Sequence, residues 1–524
     1  MNFNIKGIFR RSTTDSRRQR HELGDQLEPH PSTTLGRSGT FASLLTPSKK
    51  VGPSPTMFQS FRSILCRINL LLLCIPVSWA LNFASDNDTL IFVFSFLAII
   101  PLAKLLAFAT DELSMRVGQT LAGLLNATLG NAVELIVAII ALTQCKLHIV
   151  QSSLIGSMLS NLLLVLGMCF FAGGVRFSEQ GFGLVASQLN SSLLTIAVIA
   201  ILLPAAFYYN VTTETDSDEG QDLLKVSHGV ALILLFIYGA YLVFQLYSHA
   251  ALYNDENDII KSTKYPPRPK KSKSTKSINT AAATFTSSVA SFAGARHKSG
   301  DVEKGLEPPV TSDANAGINS EEEEEEHPQM NLTSTIVLLA VVTTLVSVTA
   351  EWLVDSIDGL TDTGAISQEF VGIILLPIVG NAAEHVTAVT VSVKDKLTLS
   401  LGVAVGSTLQ IALFVIPFIV TLGWMMGKPL TLLFDPYESI TLFLAVLTVN
   451  YSVQDGKSNW LEGMILMCLY IILCVTFWYY PGKSSKTTVL LPPSLKAIGL
   501  LSPLLNLFLT LHLIYRIRPL RSVE

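Results

Sequence analysis

The chain has 524 residues, of which 49% are hydrophobic and only 15% are charged. This is more apolar material than one water-soluble core can bury, so the composition excludes an ordinary soluble domain and indicates a protein that crosses a membrane many times. The net charge of -4 identifies no partner because basic and acidic residues are segregated along the chain, and nothing in their pattern predicts nucleic-acid binding.

The first sixty residues (1–60) form a polar tail that contains Pro and Ser and has no long apolar run. Such a segment cannot bury a core, so we predict a disordered tail and no signal peptide. Its basic residues are Lys6, Arg10, Arg11, Arg17, Arg18 and Arg20. Because positive charge is retained on the cytosolic side of a membrane, we expect the N-terminus in the cytosol.

Apolar stretches recur after the tail. A helix needs about 20 mostly apolar residues to cross a bilayer. Stretches of this kind lie near 61–83, 89–112, 117–143, 149–172, 182–209, 228–251, 333–357, 368–393, 396–423, 431–451 and 458–480. A weaker twelfth candidate at 498–515, in a C-terminal tail of 482–524, is interrupted by Pro503 and Asn506. We therefore predict an all-α polytopic membrane protein with about eleven transmembrane helices.

The predicted spans form one extra helix and two groups of five. The extra helix at 61–83 precedes a first five-helix unit at 84–253, and a second unit occupies 331–481. Six spans return the basic start of the intervening segment to the cytosol, as positive charge requires. Successive units with an odd number of helices insert with opposite orientations, so the sequence predicts two inverted five-helix repeats.

The segment between the two units, 254–330, is rich in Ser, Lys, Pro and Gly and ends in the glutamate run Glu321 to Glu326. This composition predicts a flexible cytosolic linker. The glutamate run is either a solvated spacer or a collector of divalent cations, and the sequence leaves both interpretations open.

One short motif occurs twice inside apolar stretches. Gly130-Asn131-Ala132-Val133-Glu134 lies in the first unit, and Gly380-Asn381-Ala382-Ala383-Glu384 lies in the second. A carboxylate in the bilayer core costs several kcal/mol and usually belongs to an ion or proton pathway. Two of them at matching positions indicate ion transport.

The repeat extends beyond this motif. Gly156-Ser157-Met158-Leu159 and Gly406-Ser407-Thr408-Leu409 follow the two glutamates, at the same offset of 250 residues. Internal duplication is typical of secondary transporters, whose sites lie near the bilayer midplane where the halves meet. The alternative is that the small residues only pack helices and that hydrogen bonds satisfy each Glu. A matched pair of carboxylates favours the transport interpretation.

The residue types of the motif suit a hard cation. Ca2+ takes several oxygen ligands from carboxylates, carbonyls and water. Gly130 and Gly380 permit a helix break that frees backbone carbonyls, while Asn131 and Asn381 supply amide oxygens. Together with the charges of Glu134 and Glu384, these groups predict a site for one divalent cation.

The same carboxylates explain coupling to protons. Two buried carboxylates without a cation face desolvation and mutual repulsion, and protons relieve both. We therefore predict that Ca2+ and H+ compete at Glu134 and Glu384, and that the carrier reorients only when the pair is neutralised. No nucleophile elbow, P-loop or zinc signature is present, so we predict neither an enzyme nor a cofactor.

Other polar residues near the motif are weaker candidates for a vestibule or for contacts around the site. They are Asp111, Glu351, Ser157, Ser160, Ser407, Gln410 and Gln188. His385 follows Glu384 directly and lies about 100° around a helix from it, so we expect a packing role rather than a ligand.

Four segments resemble the CAX family of Ca2+/H+ exchangers in the cation/Ca2+ exchanger superfamily, and fungal vacuolar members most. They are residues 123–136 (GLLNATLGNAVELI), 377–385 (PIVGNAAEH), 350–357 (AEWLVDSI) and 455–463 (DGKSNWLEG). The resemblance covers about 61–251 and 331–480. It implies eleven helices with ten in inverted repeats, a vacuolar membrane, and exchange of cytosolic Ca2+ for lumenal H+.

The resemblance also implies functional residues. Glu134 and Glu384 would be the exchange carboxylates, and the Gly-Asn-Ala segments that end at Ala132 and Ala382 would supply ligands from backbone and amides. Mn2+ is a second candidate substrate because it accepts oxygen ligands. A Na+-coupled Ca2+ exchanger and, less favoured by an inverted duplication, a Ca2+-permeable channel are the alternatives.

Overall fold

The computed structural model describes residues 55–56, 59–60, 70–85, 87–117, 119–211, 219–249, 252, 262–265, 328–362, 364 and 366–480. The N-terminal tail up to residue 54, the glutamate run of the linker and the candidate span 498–515 lie outside these residues, as does the first part of the predicted span 61–83. The predictions for those segments stay predictions.

The described part of the chain is almost entirely helical. The first half forms α1 (Cys74–Ala84), α2 (Asp88–Ser114), α3 (Gln119–Leu129), α4 (Ala132–Thr143), α5 (Leu147–Leu159), α6 (Leu166–Gly174), α7 (Leu184–Val211) and α8 (Glu219–Val243). The second half forms α9 (Leu332–Asp362), α10 (Gln368–Phe370), α11 (Leu376–Gly380), α12 (Ala382–Val393), α13 (Leu397–Gln410), α14 (Ile416–Met425), α15 (Pro436–Ser452) and α16 (Trp460–Trp478).

Several helices continue through wider turns. A short 3-10 helix, Leu70–Leu73, leads into α1. π-helical turns join α5 to α6 (Ser160–Val165), α10 to α11 (Val371–Leu375) and α13 to α14 (Ile411–Val415), and another follows α8 (Phe244–Ser248). π turns are frequent at functional sites.

Within the described residues, seven helices are long and apolar enough to cross a membrane, and two bent pairs raise the number to nine. The prediction of a polytopic helical membrane protein is confirmed. The count of eleven is not reached because α15 has only 17 residues and the span that ends in α1 begins outside the described part.

Some predicted edges are wrong for identifiable reasons. The predicted span 228–251 begins in the structure at Glu219 because a more polar segment, residues 219–227, extends the helix by about two and a half turns before its apolar part. The predicted span 431–451 begins at Pro436, where the Asp435 side chain accepts a hydrogen bond from the Tyr437 amide at 2.8 Å and caps the helix.

The two halves share local geometry at the 250-residue offset. The α3–α4 pair bends by 47° and the α10–α12 segment bends by 57°, each at a Gly-Asn pair. Cys145 and Asp395 both have positive φ, 60° and 65°, in the turns that follow α4 and α12. The central π turns end at Val165 and Val415.

The centre of the fold is formed by the helices that follow the bent pairs. An apolar 18-residue window of the span Leu147–Gly174 is 83% buried and that of Leu397–Met425 is 78% buried, against 22% for that of Gln221–Ser248 on the outside. α2 packs along α9, and α6 packs on α16. The site therefore lies between the bent pairs and the two central spans.

A small antiparallel sheet joins three connections at one end of the bundle. β1 (Phe177–Gly181) pairs with β2 (Thr263–Lys264) on one edge and with β3 (Lys457–Ser458) on the other. Phe177 lies opposite Lys264, and Gln180 lies opposite Ser458. The all-α prediction missed this sheet because two of its strands have only two residues and carry no alternating pattern.

Candidate cation-binding site

The two repeated motifs lie at the helix breaks. Gly130 and Asn131 separate α3 from α4, and Gly380 and Asn381 separate α11 from α12. Glu134 and Glu384 therefore stand in the first turns of α4 and α12. Helix N-termini carry partial positive charge and free N–H groups, which stabilise a carboxylate in that position.

Each carboxylate lies against the glycine of the opposite motif. A methyl group placed on Gly380 would come within 2.7 Å of Oε1 of Glu134, and one placed on Gly130 within 3.9 Å of Oε1 of Glu384. Glu134 is only 8% exposed. The fold thus brings together two acids that are 250 residues apart in sequence and places them in a largely buried space.

The asparagines of the motif are held by the central helices. The Asn131 amide donates to Oε1 of Gln410 at 2.5 Å, and its carbonyl accepts from the Ser407 hydroxyl at 2.8 Å. In the other half the Asn381 amide donates to the Ser157 hydroxyl at 3.5 Å. Each asparagine therefore bonds to the serine of the opposite half.

Three buried acceptor oxygens around these groups have no hydrogen-bond partner among the described residues. They are Oδ1 of Asn381, Oε2 of Glu384 and Oδ1 of Asn161. Buried polar atoms are nearly always satisfied. A set of orphaned oxygens beside two carboxylates matches what a hard cation such as Ca2+ coordinates.

Asn161 was not predicted. It is fully buried in the π turn after α5, and its amide donates to the Ser407 hydroxyl at 3.0 Å. Its equivalent in the second half is Ile411, so a comparison of the repeats does not find it. The available signal was its spacing of four residues from Ser157, which places both on one helix face.

A small, partly open cavity of about 20 Å³, enough for roughly one water-sized group, lies beside Glu134. Its polar wall contains Ser153 and Ser157, and its other lining residues are mainly apolar side chains of α2, α4, α5, α9 and α11. Glu384 does not line it. Glu384 lies next to Gly130. Asn126, about one turn before Gly130, and Thr387, about one turn after Glu384, are both exposed.

The structure sorts the weaker candidates. Ser157, Ser407 and Gln410 join the site, and the Ser160 hydroxyl lies 3.4 Å from Nε2 of His385. Gln188 is exposed on α7 and is not brought to the carboxylates. A polar residue in an apolar span suggests a site residue, but the position of Gln188 around the helix turns it outward.

The two acidic candidates Asp111 and Glu351 are both exposed, outside the buried pair. The neighbour of Asp111, Glu112, is buried and accepts hydrogen bonds from the amides of Gln329 at 2.9 Å and Met330 at 3.1 Å. Glu112 therefore fastens the segment before α9 to the end of α2, a role that the sequence did not indicate.

A helical membrane fold with two bent helix pairs that carry facing carboxylates defines a polytopic membrane protein, and its buried acids and amide oxygens form a candidate cation site. The family model described as sodium/calcium exchanger protein matches residues 87–247 and 334–479, and the chain belongs to this family. The resemblance found in the sequence is thereby confirmed. Members of the family are transporters, which confirms that the chain is not an enzyme.

Similar proteins extend over most of the chain. A vacuolar calcium ion transporter of Cryptococcus neoformans var. grubii is 52% identical, covering 91% of this chain and 85% of its own. A Ca(2+)/H(+) antiporter of Synechocystis is 38% identical, covering 79% and 96%. The solved structure of native YfkE is 28% identical, with a TM-score of 0.57, and covers 78% of this chain and 99% of its own.

Proposed function

We propose that the chain is an antiporter that moves Ca2+ out of the cytosol into an acidic vacuole in exchange for lumenal H+. The observation that carries this proposal is the crossed arrangement of Glu134 and Glu384, each against the glycine of the opposite motif. The names of the Cryptococcus and Synechocystis proteins, a vacuolar calcium transporter and a Ca(2+)/H(+) antiporter, support the substrate and the coupling ion.

Ca2+ is the transported substrate of this site. Glu134 and Glu384 supply two negative charges, and the orphaned amide oxygens of Asn381 and Asn161 supply neutral ligands. Asn131 is oriented by Ser407 and Gln410. The helix breaks expose backbone carbonyls around Gly130, Ala132, Gly380 and Ala382 for the remaining positions.

Coupling follows from charge balance. Glu134 and Glu384 together carry two negative charges, which either one Ca2+ or two protons neutralise. Buried like charges without a counter-charge are strongly unfavourable. The carrier therefore cannot switch the side to which the site opens at a useful rate while the site is empty and charged, and each half-cycle requires either Ca2+ or protons.

The architecture proposed for this cycle has eleven membrane helices, of which ten form two inverted repeats, and a cytosolic N-terminus. It is supported by the shared bends, positive-φ turns and π turns at the 250-residue offset. An inverted pair of units has two conformations of similar energy that open to opposite sides, as alternating access requires.

Uptake of 45Ca into sealed vesicles with an imposed pH gradient tests the proposal. We expect uptake that collapses with a protonophore, needs no Na+ and is lost in Glu134→Gln. Glu179→Gln is the matched control because Glu179 is exposed on β1, away from the site. Uptake that requires Na+ would identify a Na+-coupled exchanger, and competition by Mn2+ would identify a second substrate.

A further inference from the structure

Four connections of the chain meet at one end of the bundle. The small sheet joins the connection after α6, the start of the linker and the connection before α16, as β1, β2 and β3. The Gln180 side chain of β1 also donates to the carbonyl oxygen of Ser392, at the end of α12, at 2.8 Å. These connections follow four, six, ten and eight predicted spans. Since all four numbers are even, the proposed topology places this end in the cytosol.

Aromatic side chains mark the depth of this end relative to the membrane. The Tyr265 hydroxyl donates to the carbonyl oxygen of Gly174, the last residue of α6, at 2.8 Å, and a methyl group placed on Gly174 would collide with the backbone nitrogen of Trp460. Both aromatic residues are exposed, and so is the apolar Val175. Trp and Tyr prefer the interface between lipid tails and headgroups. The end of α6 therefore lies at the depth of the headgroups.

Three exposed cations lie around this point. Arg176 follows the end of α6 by two residues, and Lys264 is the β2 residue opposite Phe177. The Arg176 guanidinium donates to the carbonyl oxygen of Val393 at 3.5 Å, which brings the next residue, Lys394, to the same place. We call Arg176, Lys264 and Lys394 the basic patch.

Most carboxylates at this end are held on the β3 side of the sheet. Glu179 pairs with the Lys457 ammonium at 3.0 Å, and Asp455 accepts a hydrogen bond from the Lys457 amide at 3.1 Å. Glu462 accepts from the Asn459 amide at 3.4 Å and completes the cap of α16. The acids and the basic patch therefore occupy opposite edges of the sheet.

Positive charge is in excess at the basic patch. Asp395 lies between Lys394 and the exposed Lys396, and its carboxylate accepts a hydrogen bond from Gln180 at 3.1 Å. Among the residues that the structure describes, no carboxylate lies within 4 Å of a nitrogen of the three patch side chains. The sequence that continues from β2 adds further basic residues and no acid, namely Arg268, Lys270 and Lys271.

We propose that the basic patch binds the phosphate of an anionic phospholipid in the adjacent leaflet, which is the cytosolic leaflet in the proposed topology. The three cations donate charge-assisted hydrogen bonds to the phosphate oxygens. The acyl chains lie against the exposed Phe171 and Val175 at the end of α6. Inorganic phosphate offers the same oxygens but has no chains for this apolar surface, so the patch selects the lipid. The inference rests on the proposed function only for the side of the membrane.

Quenching of tryptophan fluorescence by brominated lipid measures this binding. Purified protein is reconstituted into phosphatidylcholine vesicles that contain equal amounts of either brominated phosphatidylserine or brominated phosphatidylcholine. Bromine on an acyl chain quenches a tryptophan that the chain contacts, and Trp460 lies beside the patch. Because the chain has five tryptophans, Trp460→Phe identifies the part of the signal that comes from this residue.

We expect brominated phosphatidylserine to quench Trp460 more strongly than brominated phosphatidylcholine does. Arg176→Gln and Lys264→Gln should each lower this preference about three- to fivefold, and the two combined with Lys394→Gln should abolish it. Arg176→Lys and Lys264→Arg keep the charge and should retain most of the preference. Lys225→Gln is the matched control because Lys225 is exposed near the start of α8, at the opposite end in the proposed topology.

Two results would overturn the proposal. The first is an equal preference for phosphatidylserine in the wild type and in the triple variant. The second is a preference that inorganic phosphate removes and chloride of equal ionic strength does not, since this would identify a site for a free anion. The measurement needs no transport, so uptake of 45Ca that ignores the pH gradient would reject the proposed function and leave the lipid site standing.

Discussion

The substitution Gly380→Ala tests the crossed geometry of the site most directly. The added methyl group would lie 2.7 Å from Oε1 of Glu134 and 3.3 Å from its carboxyl carbon. Carbon and oxygen atoms that are not bonded do not approach so closely, so the carboxylate must move. Alanine is otherwise favourable in a helix, and the damage should therefore be confined to the site.

The expected magnitude follows from overpacking, which costs about 1–3 kcal/mol where neighbours cannot relax. If Ca2+ binds only with Glu134 in its original position, this cost corresponds to a rise of roughly 5- to 160-fold in the KM for Ca2+. Initial rates of proton-driven 45Ca uptake over a range of Ca2+ concentrations give this value. Gly229→Ala is the control because nothing lies within 4 Å of a methyl group there.

A second substitution makes the reasoning refutable. Glu134→Asp shortens the side chain by one methylene, about 1.5 Å, and withdraws the carboxylate from residue 380. In the Gly380→Ala background it should restore part of the lost affinity, whereas alone it should weaken binding. A wild-type KM for Gly380→Ala, or strictly additive losses in the double variant, would refute the contact between Gly380 and Glu134.

Three further outcomes follow from the site and its surroundings. Glu134→Gln and Glu384→Gln should each abolish proton-driven 45Ca uptake at normal protein abundance, because Gln keeps the shape but neither balances Ca2+ nor titrates; normal uptake by either would contradict the assignment. Asn161→Leu should raise the KM for Ca2+ about tenfold, about the effect of one lost ligand or orienting bond; an unchanged KM would remove Asn161 from the site. Glu112→Gln should lower the free energy of unfolding by about 1–2 kcal/mol without changing the KM, as denaturation of purified protein and uptake would show; a changed KM would contradict a purely structural role.

The sequence predicts those parts of the fold for which a physical requirement, such as hydrogen-bonding the backbone inside a bilayer, can be met by only one kind of structure. Apolar stretches long enough to cross a bilayer form membrane helices, and the spans in the described residues coincide with such stretches. A glutamate in such a stretch needs a partner, and duplication at one offset pointed to that partner. This is why the pairing of Glu134 with Glu384 was predictable without coordinates.

Other features depend on direction around a helix, which polarity alone does not reveal. Gln188 and Asn161 are both amides in apolar spans, but Gln188 is exposed and Asn161 is buried at the site. Asp111 and Glu112 are adjacent acids, and the buried one is the second. The three-stranded sheet was unpredictable because its register is set by the helices that bring its strands together.

The differences between the two halves are as informative as their likeness. The repeated residues build the carboxylate pair and the Gly-Asn helix breaks beside it, whereas Asn161 on one central span has Ile411 at the matching position. A perfectly symmetric carrier would treat its two sides alike. Asn161 is buried and its amide donates to the Ser407 hydroxyl at 3.0 Å, so one half alone adds this amide to the proposed site, and the surroundings of the two carboxylates differ although the carboxylates themselves are matched.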